Sequence, residues 1–258
     1  MQTSRKIVIG VGALLIVVVG VFLLWILVLR DDAPAALDSG DLDAALASTT
    51  VAAVTVPESI PETVPETVVT TTPETVVTTA APADTGADGV WSVAADSTLG
   101  YRVQEVLGGI DVEGAGRTSD VTGSLTIAGT QATAAEFTVQ MASITSDSDR
   151  RDGQFRGRIM SVDQFPTATF VLTAPIDFGA VPAEGESLTA TATGDLTLRG
   201  VTRSVTFDVE AKLEGGRIGV LGSIPILFSD YSIPDPSNGF AVVKDNGLLE
   251  FVLIFDRG

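Results

Sequence analysis

The sequence predicts an all-β domain of about eight antiparallel strands over residues 89–258. It is set behind a single membrane helix and a disordered acidic stalk. Three observations carry this. First, Gly194 to Val209 alternates strictly: Leu196 and Leu198 against Thr197 and Arg199, then, past Gly200, Val205, Phe207 and Val209 against Thr206 and Asp208. Period-two alternation places apolar groups on one face of a strand, and two such runs around a glycine read as a hairpin. Second, runs of this kind recur through residues 89–258 with turn signals between them, the pattern of a sandwich or a closed barrel. Third, the composition breaks into blocks: residues 1–30 carry a net charge of +3, residues 31–88 −11 and residues 89–258 −10.

The first block is an anchor by its length. Ile7 to Leu29 is an uncharged run of 23 residues. As a helix it reaches about 34 Å at ~1.5 Å per residue, enough for a hydrocarbon core of ~30 Å. Ala33-Pro34-Ala35 offers a cleavage pattern for a signal peptide, but the apolar run is longer than the usual signal core, which favours a retained anchor. Arg5 and Lys6 precede the run and only Arg30 follows it, beside Asp31 and Asp32. The positive-inside bias therefore expects a cytoplasmic amino terminus and an extracytoplasmic barrel on a single-pass cell-membrane protein. Residues 31–88 hold no aromatic residue and repeat Pro-Glu-Thr-Val, with Pro65 to Thr71 recurring at Pro73 to Thr79. Proline every few residues forbids regular helix, and like charges extend the chain, so the block is expected to be a disordered linker.

In the third block the strands are expected near Tyr101–Val106, Val121–Ile127, Phe137–Met141, Ala168–Leu172, Leu188–Leu198, Val205–Leu213, Ile218–Ile224 and Leu249–Phe255. One segment interrupts them. Ser146 to Phe165 reads as a short helical excursion capped by Ser148 or a neighbouring Asp, with Phe155 and Ile159 on one face, closing one end of a barrel.

Several chemistries are excluded. The chain has no histidine and no cysteine, which removes the commonest general base, the commonest zinc ligand and any thiolate nucleophile. A net charge of −18 disfavours nucleic acid. Asp147, Asp149 and Asp152 before Gly153 have the look of a calcium loop, but the fifth position is Arg151 and the twelfth Arg158. No nucleophile-and-base motif surrounds Lys212 or Lys244, and Glu184 and Glu186 lie in loop sequence. The expectation is a protein without catalytic residues, metal or cofactor.

The segment Leu196-Thr197-Leu198-Arg199-Gly200-Val201-Thr202-Arg203 resembles the signature hairpin of the YceI-like polyisoprenoid-binding family. Trp91-Ser92-Val93, Ser97, Tyr101-Arg102-Val103, Arg151-Asp152, Phe165-Pro166, Thr169-Phe170 and Asp230-Tyr231 follow the family's order. The resemblance spans residues 89–258 and implies an eight-stranded lipocalin-like barrel whose lumen takes a polyisoprenoid or similar lipid. Its departures are Asp96, where relatives often carry His, Phe228 in place of an Arg, and Ser232 in place of a Gly. The expected lumen residues are Phe137, Val139, Phe170, Leu172, Leu196, Phe207, Val209, Phe251 and Leu253. At the mouth the resemblance points to Arg151, Asp152, Phe155, Phe228 and Tyr231. The alternation serves a filled core as well as a lumen. The two functions in play are thus a membrane-tethered lipid-binding barrel and a filled barrel serving as a non-catalytic interaction module. On the first reading, specificity lies around Arg151 and Phe228–Ser232, and the hairpin is a fold marker.

Overall fold

The structure is a computed structural model that describes residues 33–48, 86–239 and 241–258. The run Ile7–Leu29, expected to be a membrane anchor, lies outside them, as does most of the expected linker. Among the described residues no helix is long and apolar enough to cross a membrane. The strands are β1 (Gly89–Val93), β2 (Thr98–Leu107), β3 (Ile110–Thr118), β4 (Val121–Ala128), β5 (Gln131–Gln140), β6 (Thr145–Ser146), β7 (Thr167–Leu172), β8 (Ile176–Asp177), β9 (Ser187–Leu198), β10 (Val201–Glu214), β11 (Arg217–Leu227), β12 (Ala241–Val243) and β13 (Asn246–Arg257). Every pairing is antiparallel, and β1-β4-β5-β7-β9-β10-β11-β13 returns to β1 to close the barrel. Closure leaves no free edge around that ring.

Two barrel staves are longer than alternation alone indicates. β1 and β2 run on from one another along β13, and β3 and β4 do the same opposite them: Trp91 faces Leu125, and Leu99 faces Thr118. The break between β1 and β2 is pinned by Ser97. Its buried hydroxyl accepts from the Ile254 amide at 2.9 Å and donates to the Ile254 carbonyl at 3.3 Å. Ser97 therefore supports the backbone bend of a neighbouring strand, and Asp96 beside it pairs with Arg217 at 2.8 Å. The signature hairpin closes through Arg199 and Gly200, both left-handed (φ 49° and 75°), between the paired Leu198 and Val201. Two residues with positive φ form the tight turn whose twist matches the flanking strands.

The linker expectation for residues 31–88 is corrected at residues 33–48. Ser39–Ala47 form a helix, α1. Asp38 caps it, accepting from the Gly40 and Asp41 amides, while Asp41 accepts from the Asp38 amide in a capping box. Leu42 and Leu46, one turn apart, are buried against Val252, Ile254 and Leu221 on the outer face of β11 and β13. Gly219 makes the seat: a Cβ there would stand 2.5 Å from Leu42 Cδ1. Polar contacts finish the attachment. The Leu37 amide donates to Glu250, Arg102 donates to the Pro34 carbonyl, Arg117 donates to the Ala35 carbonyl, and Lys212 pairs with Asp43 at 2.7 Å. Glu250, 2% exposed, is held by both Arg102 and Arg117. No aromatic residue marks this segment, which is why its composition resembles the stalk that follows it.

Candidate functional site

The barrel interior is divided into two halves by four phenylalanines. Phe137 stacks on Phe170 with ring centres 5.2 Å apart, and Phe170 and Phe251 each meet Phe207 edge-on at 5.5 and 6.0 Å. Such offset and edge-on pairs are the favoured aromatic geometries. Glycines opposite make the layer fit. A Cβ at Gly194 would overlap the Phe170 ring, and one at Gly222 would stand 2.5 Å from Phe251. Beyond this layer Trp91, Leu125, Val209, Ile218, Leu253 and Phe255 fill the β1 end of the barrel.

On the other side of the layer lies a cavity of about 170 Å³. Its walls are apolar: Val139, Met141, Ile144, Ala168, Leu196, Leu198, Ile224, Ile226 and Leu249 stand around it, with Phe137 and Phe251 at its floor. Of the nine expected lumen residues, Phe137, Val139, Leu196 and Phe251 therefore face the cavity. Phe170 and Phe207 complete the floor from beneath; Val209 and Leu253 are buried in the filled half, and Leu172 is half-buried at the end of β7. Alternation told which face each residue takes. It carries no information about depth along the barrel axis.

The mouth is built by the helical excursion. Ser148 caps α2 (Asp149–Gln154), its hydroxyl accepting from the Arg151 amide, and the chain continues as a wider π turn over Phe155–Ile159. The excursion docks on β3 through β6. Phe155 stacks on Tyr101 with centres 5.0 Å apart and planes 9° from parallel. Phe155, Ile159 and Met160 line the cavity. Arg151 also lines it, pairing with Asp147 and, at 3.2 Å, with the buried Glu105. Arg151 and Glu105 thus bring opposite charges to the cavity wall; Glu250, which also lines the cavity, is held by Arg102 and Arg117. Asp152, expected beside it, is instead buried within the excursion, accepting from the Ser146 amide (2.8 Å) and hydroxyl (2.7 Å). Its role is to hold β6 to α2.

The far rim is a turn at Phe228–Tyr231. Phe228 lines the cavity where the family resemblance expects an Arg. Tyr231 is buried beside the turn and stays off the cavity wall. Ser232 takes the left-handed conformation (φ 53°), which accounts for the glycine expected there. The signature hairpin braces this rim. Arg199 donates to the Ser232 carbonyl and lies over the Phe165 ring, and Arg203 donates to the Asp230 carbonyl at 3.0 Å. The hairpin is thus both a wall and the brace of the mouth. Its arginines reach residues some 30 positions away, and sequence spacing does not display such contacts.

Both tyrosines sit at this end of the barrel. Burial pushes the Tyr101 phenol up to about 12, partly opposed by nearby Arg151, and burial also raises Tyr231. A phenol that ionises later in the folded than in the unfolded chain adds stability that is complete below the ordinary value of ~10. That contribution is lost as the pH rises through the folded value. Ultraviolet titration of folded protein should therefore show clearly less tyrosinate at the pH where a denatured sample is half ionised, and unfolding should become easier as the pH rises from the ordinary value towards that of folded Tyr101. A folded sample titrating with the denatured one would contradict the burial of both rings.

The YceI-like domain matches residues 91–255 of this chain. A UPF0312 protein of Pseudomonas aeruginosa is 35% identical in an alignment 129 residues long that covers 46% of this chain and 62% of that protein. The chain thus spans about three fifths of the length of the curated relatives it matches. Among solved structures, a polyisoprenoid binding domain from Saccharophagus degradans implicated in plant cell wall breakdown aligns with a TM-score of 0.54 at 22% identity. That alignment covers 65% of this chain and 98% of that one. Burkholderia cenocepacia BcnA aligns with a TM-score of 0.50 at 24% identity, over 63% of this chain and 98% of that one. At these identities the likeness to the two structures is one of fold.

Proposed function

Because the chain belongs to the YceI-like domain family, we propose that its barrel binds a polyisoprenoid or similar long apolar chain, end first, in the open half of the lumen. The observation that carries this is the apolar cavity between the phenylalanine floor and the mouth. Apolar burial at ~25 cal/mol per Å² gives affinity without directional contacts, which suits a flexible hydrocarbon. The volume sets how much enters. A dry cavity of ~150 Å³ accepts a benzene-sized molecule, so about 170 Å³ holds the terminal unit of a chain. The rest leaves through the mouth past Phe155, Phe228 and Arg151. No catalytic group takes part; the Arg151–Glu105–Asp147 cluster meets whatever polar group lies near the rim.

The tether belongs to the same reading. Ile7–Leu29 holds the protein in the cell membrane, and the charge bias around it puts the barrel on the extracytoplasmic side. The full chain, purified in mild detergent, is expected to release a lipid on organic extraction and to carry the same mass as a noncovalent adduct in native mass spectrometry. Protein free of lipid, and unable to take up a long-chain isoprenoid alcohol added to it, would count against the reading and favour a barrel that acts as a docking module.

A further inference from the structure

We propose that residues 34–48 are a clasp that holds the open end of the barrel against the bilayer in which the chain is anchored, so that the apolar ligand passes between membrane and lumen without crossing water. The proposal rests on the reading of the lumen and tether just given, and deepens it. It starts from the docked position of α1. Between Leu29 and Pro34 the chain has four residues, Arg30 to Ala33. Fully extended, they let Pro34 stand no more than about 18 Å from the end of the apolar run. The long Pro-Glu-Thr-Val linker lies on the other side of α1, so it adds nothing to this reach while the clasp is docked.

The direction of the docked segment selects the end of the barrel that faces the membrane. Ser48 accepts from Arg217, at the filled end where β11 begins. Asp43 meets Lys212, Ser39 meets Glu210, Leu37 meets Glu250, and Pro34 meets Arg102 between the cavity-lining Tyr101 and Val103. Followed backwards, the chain climbs from the filled end to the cavity half and leaves there. From Arg102 to the end of β2 at Leu107 is about 17 Å at ~3.3 Å per residue. That length along the strand is within the reach of the four-residue tether, and strand tilt in a barrel shortens its rise along the axis, so the tether keeps the β2–β3 tip within a few Å of the membrane surface even when taut. Apolar side chains project from this rim: Ile110 at the tip, Val242 on β12 paired to Val106, and Leu227 at the end of β11 are all exposed, among the charged Asp111, Lys244 and Asp245. Val90 and Val181 are exposed at the opposite end, so exposure alone does not orient the barrel; the tether does.

The chain has no cysteine, so one introduced residue gives one label. The full-length protein would be reconstituted in phosphatidylcholine vesicles containing a headgroup spin-labelled lipid, with an environment-sensitive fluorophore on Val242→Cys or, separately, on Val181→Cys. Quenching is expected to be at least threefold stronger at position 242. Inserting twenty Gly/Ser residues between Asp32 and Ala33 leaves the clasp docked and should abolish that difference. Leu42→Asp with Leu46→Asp should do the same by undocking α1. Equal quenching at the two positions, or a difference that survives the insertion, would overturn the clasp while leaving lipid binding in detergent intact. Protein that fails to float with the vesicles would overturn the clasp together with the anchor. Loss of lipid from the detergent-solubilised wild type, with the quenching difference retained, would support the orientation and sink only the ligand.

Discussion

Phe170→Ala is expected to lower the unfolding free energy by about 3–5 kcal/mol, the usual cost of removing a buried aromatic ring and leaving a hole. Phe170 is 3% exposed and lies between Phe137 and Phe207, and the closed ring of strands around it resists collapse into the space. Gly194, whose missing side chain accommodates the ring, cannot fill it either. Denaturant unfolding measures the loss. The same substitution removes part of the floor, so the lumen lengthens and a longer stretch of hydrocarbon should enter. The variant is therefore expected to be less stable when empty and to regain more stability on adding a long-chain isoprenoid alcohol than the wild type does. A loss below about 1 kcal/mol would mean that the four rings do not form a packed layer.

Ile224→Trp is expected to remove most of the lipid affinity while keeping the fold. Ile224 lines the cavity from β11, opposite Leu249 in register, and is 2% exposed. An indole there occupies space that the ligand end needs. Each buried CH₂ contributes about 0.8 kcal/mol, so excluding one five-carbon unit costs about 4 kcal/mol, roughly a thousandfold in affinity. Overpacking a core costs ~1–3 kcal/mol, and the adjoining cavity should keep the cost at the low end. Titration with an isoprenoid alcohol, followed by tryptophan fluorescence or native mass spectrometry, reads the change. Undiminished binding in a folded variant would place the ligand outside the cavity.

The fold was legible because the barrel repeats one rule. Each of the eight expected runs falls on a strand of the closed ring or on β2, which extends it. What alternation missed were β1, which only the family resemblance marked at Trp91-Ser92-Val93, β3, and the short strands β6, β8 and β12. β1 is short, and in β3 Gly114 and Gly116 interrupt the alternation. Long bent staves look in sequence like short strands with loops between them. α1 escaped for a different reason. Its two leucines are too few to mark a helix inside acidic, alanine-rich sequence, and their burial depends on a surface contributed by β11 and β13 nearly 200 residues later.

The site divides in the same way. Phe155 and Phe228 could be placed at the mouth because order along the chain puts the excursion and the late loop beside the barrel end. Asp152 and Tyr231 stand next to them in sequence yet turn away, one to hold β6 and the other into the core. Neighbouring residues on a short helix or a tight turn point in different directions, and only packing selects which one meets the cavity.

Composition and period-two alternation alone decide that residues 89–258 form an antiparallel β domain, that its inward faces are apolar and that histidine and cysteine chemistry are absent, because these follow from residue identity and local geometry. Where the lumen stops, which charged side chains meet at its rim and where the segment before the linker docks were decided in three dimensions. Each of them depends on side chains brought together from strands far apart in the chain: four phenylalanines from β5, β7, β10 and β13, Glu105 beside Arg151, and Leu42 in the hollow left by Gly219.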